Sequence, residues 1–220
     1  MSGQPGTAPD LSELWLEELG QLTGHALHAL RNGLQGVAVN LEVIRSRVER
    51  TAATSDSAES GATVTSSPDL RTFAANASRQ FEDVSLRIES LAFLCRQPSG
   101  EPELSDILNA LAALVRTRDR QPLTVLGDSG DSRVAADPVA VRLLLTRLTL
   151  PAVKSGALVR CEVKIGSFVS VDLLYEPENA GGPRPDDIAI ANAAHISMKE
   201  RPGGWTLTFP STLRSDTVLV

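Results

Sequence analysis

A chain of 220 residues with 42% apolar side chains can build one large domain or two small ones with real cores. Its formal net charge of −6, with no basic run, argues against electrostatic capture of nucleic acid or of an anionic membrane surface, so proteins are the expected partners. The two cysteines, Cys95 and Cys161, make no CxxC and no metal-ligand spacing, and they read as buried, reduced thiols.

Residues 1–10 are rich in Gly, Pro and Ser and read as a mobile N-terminus. They carry no charged-then-apolar leader. The most apolar run, VRLLLTRLTLPAV, is interrupted by Arg147 and ended by Pro151, so no membrane span is expected and the protein reads as cytoplasmic.

From Leu11 to about Arg50 the chain has no proline and reads as one long helix. Leu30, Leu34, Val37, Leu41, Ile44 and Val48 recur in alternating steps of four and three, the seam of a helix packed lengthwise against others. At about 100° per residue His28 falls on the side opposite that seam, with Asn32 and Gln35 one and two turns further on. Val39 and Val43 turn the lower part of the same face apolar, so the solvent window is local to His28. Gly33 and Gly36 suggest close approach of another backbone or a local bend.

Residues 51–67 are small and polar without periodicity and read as a flexible connection. Ser67, Pro68 and Asp69 then supply a cap, a first-turn proline and a carboxylate at the positive end of a second helix reaching about Arg96. Its apolar positions, Leu70, Phe73, Ala77, Phe81, Val84, Ile88, Leu91 and Cys95, match the first seam. One antiparallel pair cannot bury a helix with two apolar sides. Residues 11–97 are therefore expected to form a hairpin that pairs with a second copy into a four-helix bundle, a homodimer; the alternative, in which the C-terminal region covers the second face within one chain, would leave the long seams half used.

Pro98, Ser99, Gly100 and Pro102 mark a boundary, with a second domain over residues 101–220. There Leu104 to Arg118 reads as an amphipathic helix, Pro122 to Gly127 and Arg133 to Ala136 as short strands, and Asp137-Pro138 as the start of a helix ending near Pro151. Leu158 to Ile165 and Phe168 to Tyr175 alternate around Gly166-Ser167 as a hairpin, and Trp205 to Phe209 follows Gly203-Gly204 as a last strand. Between them lie a Pro/Gly loop, Glu176 to Pro185, and a short helix from about Asp186 to His195. The expected class is α+β, with helices on one face of a mixed sheet.

The stretch LGQLTGHALHALRNGLQ and the order of elements after it resemble the core of a bacterial two-component sensor histidine kinase, over about Leu11 to Pro210. That family carries its phosphoacceptor in a His-Glu-Leu-Arg-Asn-Pro-Leu pattern, matched here by His28-Ala29-Leu30-Arg31-Asn32-Gly33-Leu34. The resemblance implies an ATPase-type α/β sandwich after the hairpin and assigns the acceptor role to His28, while His25 and His195 do not align with it. Asn32 stands where kinases of the family place a polar residue that positions water on a partner's phosphoaspartate, and Arg31 and Gln35 would face that partner.

Departures from the pattern imply loss of the ATP chemistry. The family's acid after the histidine, a general base, is here Ala29. The family's Asn-Leu-Leu-x-Asn-Ala pattern, which supplies an asparagine that helps hold Mg²⁺, corresponds to Arg147-Leu148-Thr149-Leu150-Pro151-Ala152, where both asparagine positions are lost. Tyr175-Glu176-Pro177-Glu178-Asn179 stands in place of the adenine-reading Asp-x-Gly-x-Gly, without a second glycine loop to cradle phosphates. A degenerate sandwich with no ATP and no cofactor is expected, Mg²⁺ entering only through a partner receiver. A neutral imidazole is a competent nucleophile near physiological pH and can take a phosphoryl group from an aspartyl phosphate. The expectation is a histidine phosphotransferase passing phosphate between response-regulator receivers through His28, without autokinase activity. The alternative is a non-enzymatic dimer that binds and regulates a receiver or sensor kinase.

Overall fold

The computed structural model describes residues 10–55, 68–117, 120–127, 131–178 and 180–210. In chain order the elements are α1 (Leu11–Ser55), α2 (Pro68–Cys95), α3 (Leu104–Val115), β1 (Leu123–Gly127), α4 (Pro138–Lys154), β2 (Leu158–Ile165), β3 (Val169–Glu176), α5 (Pro185–Ala193), β4 (Ser197–Arg201) and β5 (Gly204–Phe209). The protein is α+β, with a long N-terminal helix and, further along the chain, a five-stranded mixed sheet. It divides into two compact units, one formed by Gly24–Glu89 and the other by the chain up to Thr23 together with the chain from Ser90 onward. Both divisions fall inside helices.

In the Gly24–Glu89 unit, α1 and α2 run antiparallel, because rising numbers on one meet falling numbers on the other. Gly33 faces Val84, Asn40 Nδ2 donates to Gln80 Oε1 at 2.9 Å, and the Arg47 guanidinium lies 5.2 Å from the Phe73 ring centre. The helical glycines have a packing reason, although the neighbour is side chain and not backbone. A Cβ on Gly33 would stand 2.6 Å from Val84 Cγ2, and one on Gly36 2.7 Å from Gln80 Nε2. Ala77 and Val84 are buried, whereas Leu34, Leu41 and Val48 on α1 and Phe81 and Ile88 on α2 are each more than half exposed. Within one chain the seam is therefore half covered.

One expectation in this region changes. Helix α1 continues through Thr51-Ala-Ala-Thr-Ser, five residues expected in the connection, because nothing in that run breaks a helix. The rest of the connection, 56–67, and the cap at Ser67 lie outside the described residues.

The other unit is built on a sheet of order β1-β2-β3-β5-β4, with β1 parallel to β2 and all other neighbours antiparallel. The β2–β3 hairpin turns through 166–168, with Ile165 opposite Val169. Period-two alternation puts Val159, Cys161 and Val163 beside Tyr175, Leu173 and Val171 on one face, joined by Leu207 and Phe209 from β5, all buried. Helices α3 and α4 pack on this unit, and Leu143, Leu144, Leu145 and Leu148 of α4 are almost wholly inaccessible. Each such side chain contributes roughly 1.5–3 kcal/mol by leaving water. Asp137 caps α4 by accepting from Val139 N at 2.8 Å and Ala140 N at 3.0 Å. Arg142 Nη1 donates to Leu94 O at 3.1 Å and Arg96 O at 2.7 Å, satisfying carbonyls at the end of α2.

Here too the structure departs from expectation. Pro151 lies inside α4, which runs to Lys154: in the last turn the ring forfeits one hydrogen bond, and Ser155 N still donates to Pro151 O. Residues 133–136 form no strand: Arg133 makes an isolated bridge to Glu103, and the next two backbone N–H groups go to different segments, Val134 N to Pro102 O at 3.1 Å and Ala135 N to Pro210 O at 3.0 Å, so no ladder builds up. Strand β4 was not anticipated, since SMKER is an exposed edge without apolar alternation. Cys161 is buried but Cys95 is exposed, and both are free. Among the described residues no helix is long and apolar enough to cross a membrane.

Candidate functional site

Around His28 the helix sorts its side chains by the 3.6-residue period. Ala26, Leu30 and Gly33 are buried or half-buried, whereas Leu27, His28, Arg31, Asn32 and Gln35 are exposed. The four candidate residues thus share one solvent-facing side of α1. Asn32 Nδ2 lies 3.3 Å from His28 Nε2, the one pairing between candidates that the structure supplies. The residue after the histidine, Ala29, is half-buried and offers only a methyl group.

Chemically this is an accessible ring nitrogen with an amide one turn away. An imidazole so placed can act as a nucleophile toward an electrophile delivered from outside, and the carboxamide can donate to the ring or to an incoming oxygen.

In the other unit, Arg147 is not solvent-facing. Its Nε lies 3.2 Å from Glu18 Oε1 and its Nη1 3.2 Å from Asp187 Oδ1, with the three side chains 9%, 15% and 1% exposed. Asp187 also accepts from Arg184 N at 2.8 Å through Oδ2, which caps the start of α5. One guanidinium therefore holds α1, α4 and α5 together. Glu18 and Asp187 were not singled out from the sequence, although Glu18 stands between Trp15 and Leu22 on an otherwise apolar stripe.

Tyr175 is buried and donates from Oη to Leu148 O at 3.2 Å, and burial pushes its hydroxyl above the usual range. Gly181 is required beside it, because a Cβ there would meet the Tyr175 ring at about van der Waals overlap, 2.5 Å from Cε1. Glu176 and Glu178 are exposed and rim a shallow hollow of about 360 Å³ that also meets Gln121, Leu158 and Arg160. On β3, Asp172 is buried and accepts from Lys164, from Arg201 and from Thr206 Oγ1 at 2.6 Å. Burial pushes its carboxyl up, but the hydrogen bonds from Lys164, Thr206 and Arg201 outweigh that and bring it down to about 2. Among the described residues no group of three His, Cys, Asp or Glu side chains is arranged to hold a metal ion.

No protein-family model matches the chain, and no curated protein matches it.

Proposed function

We propose that the protein is a cytoplasmic histidine phosphotransferase of a two-component phosphorelay. His28 accepts a phosphoryl group from the phosphoaspartate of one receiver domain and passes it to another. The observation that carries this reading is the placement of His28 and Asn32 together on the solvent side of α1, within a pattern that resembles the histidine kinase acceptor.

The sandwich contributes no ATP chemistry in this reading. Where the family sets an asparagine to help hold Mg²⁺, Arg147 presents a guanidinium buried against Glu18 and Asp187. A fixed positive charge already paired with two carboxylates does not suit a divalent cation and its phosphates. Glu176 and Glu178 would add like charge to a triphosphate. Titration with a non-hydrolysable ATP analogue and Mg²⁺ is expected to give no saturable binding at micromolar concentrations.

The half-covered seam supports a homodimeric four-helix bundle as the working form. Leu34, Leu41, Val48, Phe81 and Ile88 together expose an apolar stripe along both helices of the hairpin, and a second copy would remove it from water. The test of function is transfer of radiolabelled phosphate from phosphorylated receivers to the wild-type chain and to His28→Ala.

A further inference from the structure

We infer that Asn32 holds neutral His28 in the tautomer with its proton on Nδ1, so that Nε2 is the attacking nitrogen and no separate general base is needed. The inference rests on the phosphoacceptor reading and assigns Asn32 a positioning role within it.

A neutral imidazole has one N–H donor and one lone-pair nitrogen, and a neighbouring group decides which is which. Here the neighbour is the Asn32 amide nitrogen, 3.3 Å from Nε2. In this orientation the amide N–H donates, which makes Nε2 the acceptor and assigns the ring proton to Nδ1. The i, i+4 spacing of His28 and Asn32 stacks the two groups one turn apart on the same helix face.

This geometry answers the problem that Ala29 raises. A ring protonated at Nε2 must lose that proton before or during attack, and Ala29 offers nothing to take it. A ring protonated at Nδ1 already carries its lone pair at Nε2, and attack needs only exchange of the long Asn32 contact for phosphorus. That lone pair forms the N–P bond as the P–O bond of the receiver's acyl phosphate breaks, and the bonding electrons leave on the aspartate carboxylate. The Nδ1 proton stays on the ring, which carries the positive charge until solvent removes the proton. The Asn32 amide, displaced from Nε2 by phosphorus, is then free to donate to a phosphoryl oxygen.

The test is a long-range proton–nitrogen correlation spectrum of the full ¹⁵N-labelled chain in mildly alkaline solution, with His28 assigned by its loss in His28→Ala. Wild type is expected to show His28 protonated at Nδ1. Asn32→Asp, whose carboxylate only accepts, is expected to move the proton to Nε2, and Asn32→Ala to shift the tautomer ratio by about fivefold toward Nε2–H, the size of one ordinary hydrogen bond. Phosphoryl acceptance should fall in the same order. An Nε2–H ring in wild type, or the same tautomer in wild type and Asn32→Asp, would overturn the role of Asn32 even if receivers label His28. Because the spectrum needs no receiver, failure of every receiver to label wild type would instead overturn the acceptor reading, and the purpose given to Asn32 with it.

Discussion

Arg147 Nε and Glu18 Oε1 lie 3.2 Å apart with both side chains largely out of water, so the start of α1 is tied to α4 by a charge pair set within an apolar face. Removing one member of a buried pair leaves the other charge uncompensated, typically at a cost of about 3–5 kcal/mol. Arg147→Met strands two carboxylates, Glu18 and Asp187, and is expected to lower stability by that amount. Glu18→Gln keeps the Arg147–Asp187 contact and should cost roughly 1–2 kcal/mol. Denaturant titration of the two variants checks the order. Equal, small losses would show that the cluster does not hold these elements together.

His195 is expected to be a site where a single change stabilises. It has φ +58°, a left-handed backbone just past the end of α5. His195 N bonds Asn192 O at 3.2 Å and Ile196 N bonds Ala191 O at 2.8 Å, the paired closure that normally carries glycine. His195→Gly should gain about 1 kcal/mol, seen as a rise of a few degrees in melting temperature.

The acid limb of the stability curve should carry the signature of Asp172. Its carboxyl is depressed to about 2 in the folded chain, against about 3.9 in an unfolded one. A depressed acid stabilises fully above its unfolded value and loses that contribution as the pH falls through its folded value. The loss therefore spans about pH 4 to about pH 2, on the order of 2 kcal/mol for this one group. Asp172→Asn should be less stable near neutral pH and lack that part of the acid dependence, as thermal melts across the range would report.

Leu41 is 54% exposed in the single chain, so a charge there costs little unless a second copy covers it. Leu41→Glu is expected to halve the mass measured by light scattering while helicity is retained. An unchanged mass, or a wild-type chain that is monomeric at high concentration, would contradict the bundle.

What the sequence made legible follows the strength of its periodicities. Leu158–Ile165 and Val169–Glu176 formed the expected hairpin because alternation and a Gly-Ser turn agree, and Asp137-Pro138 opened α4 because cap and proline coincide. SMKER was missed because an edge strand needs only backbone partners, and Pro151 misled because a proline in a last turn breaks a single bond. At the site, the exposure of His28, Arg31, Asn32 and Gln35 followed from counting around a helix. The Glu18–Arg147–Asp187 cluster could not be counted out in this way, since its members are brought together by the fold from three separate helices.

The most direct measurement is phosphoryl transfer from each phosphorylated receiver domain of the source organism to this chain. Label is expected on wild type, without ATP, from at least one receiver, and its loss is expected in His28→Ala with fold and dimer intact, since an exposed side chain contributes little to stability. Asn32→Ala should slow acceptance less than His28→Ala does. Unimpaired labelling of His28→Ala, or a receiver that binds the wild type yet never labels it, would contradict the account.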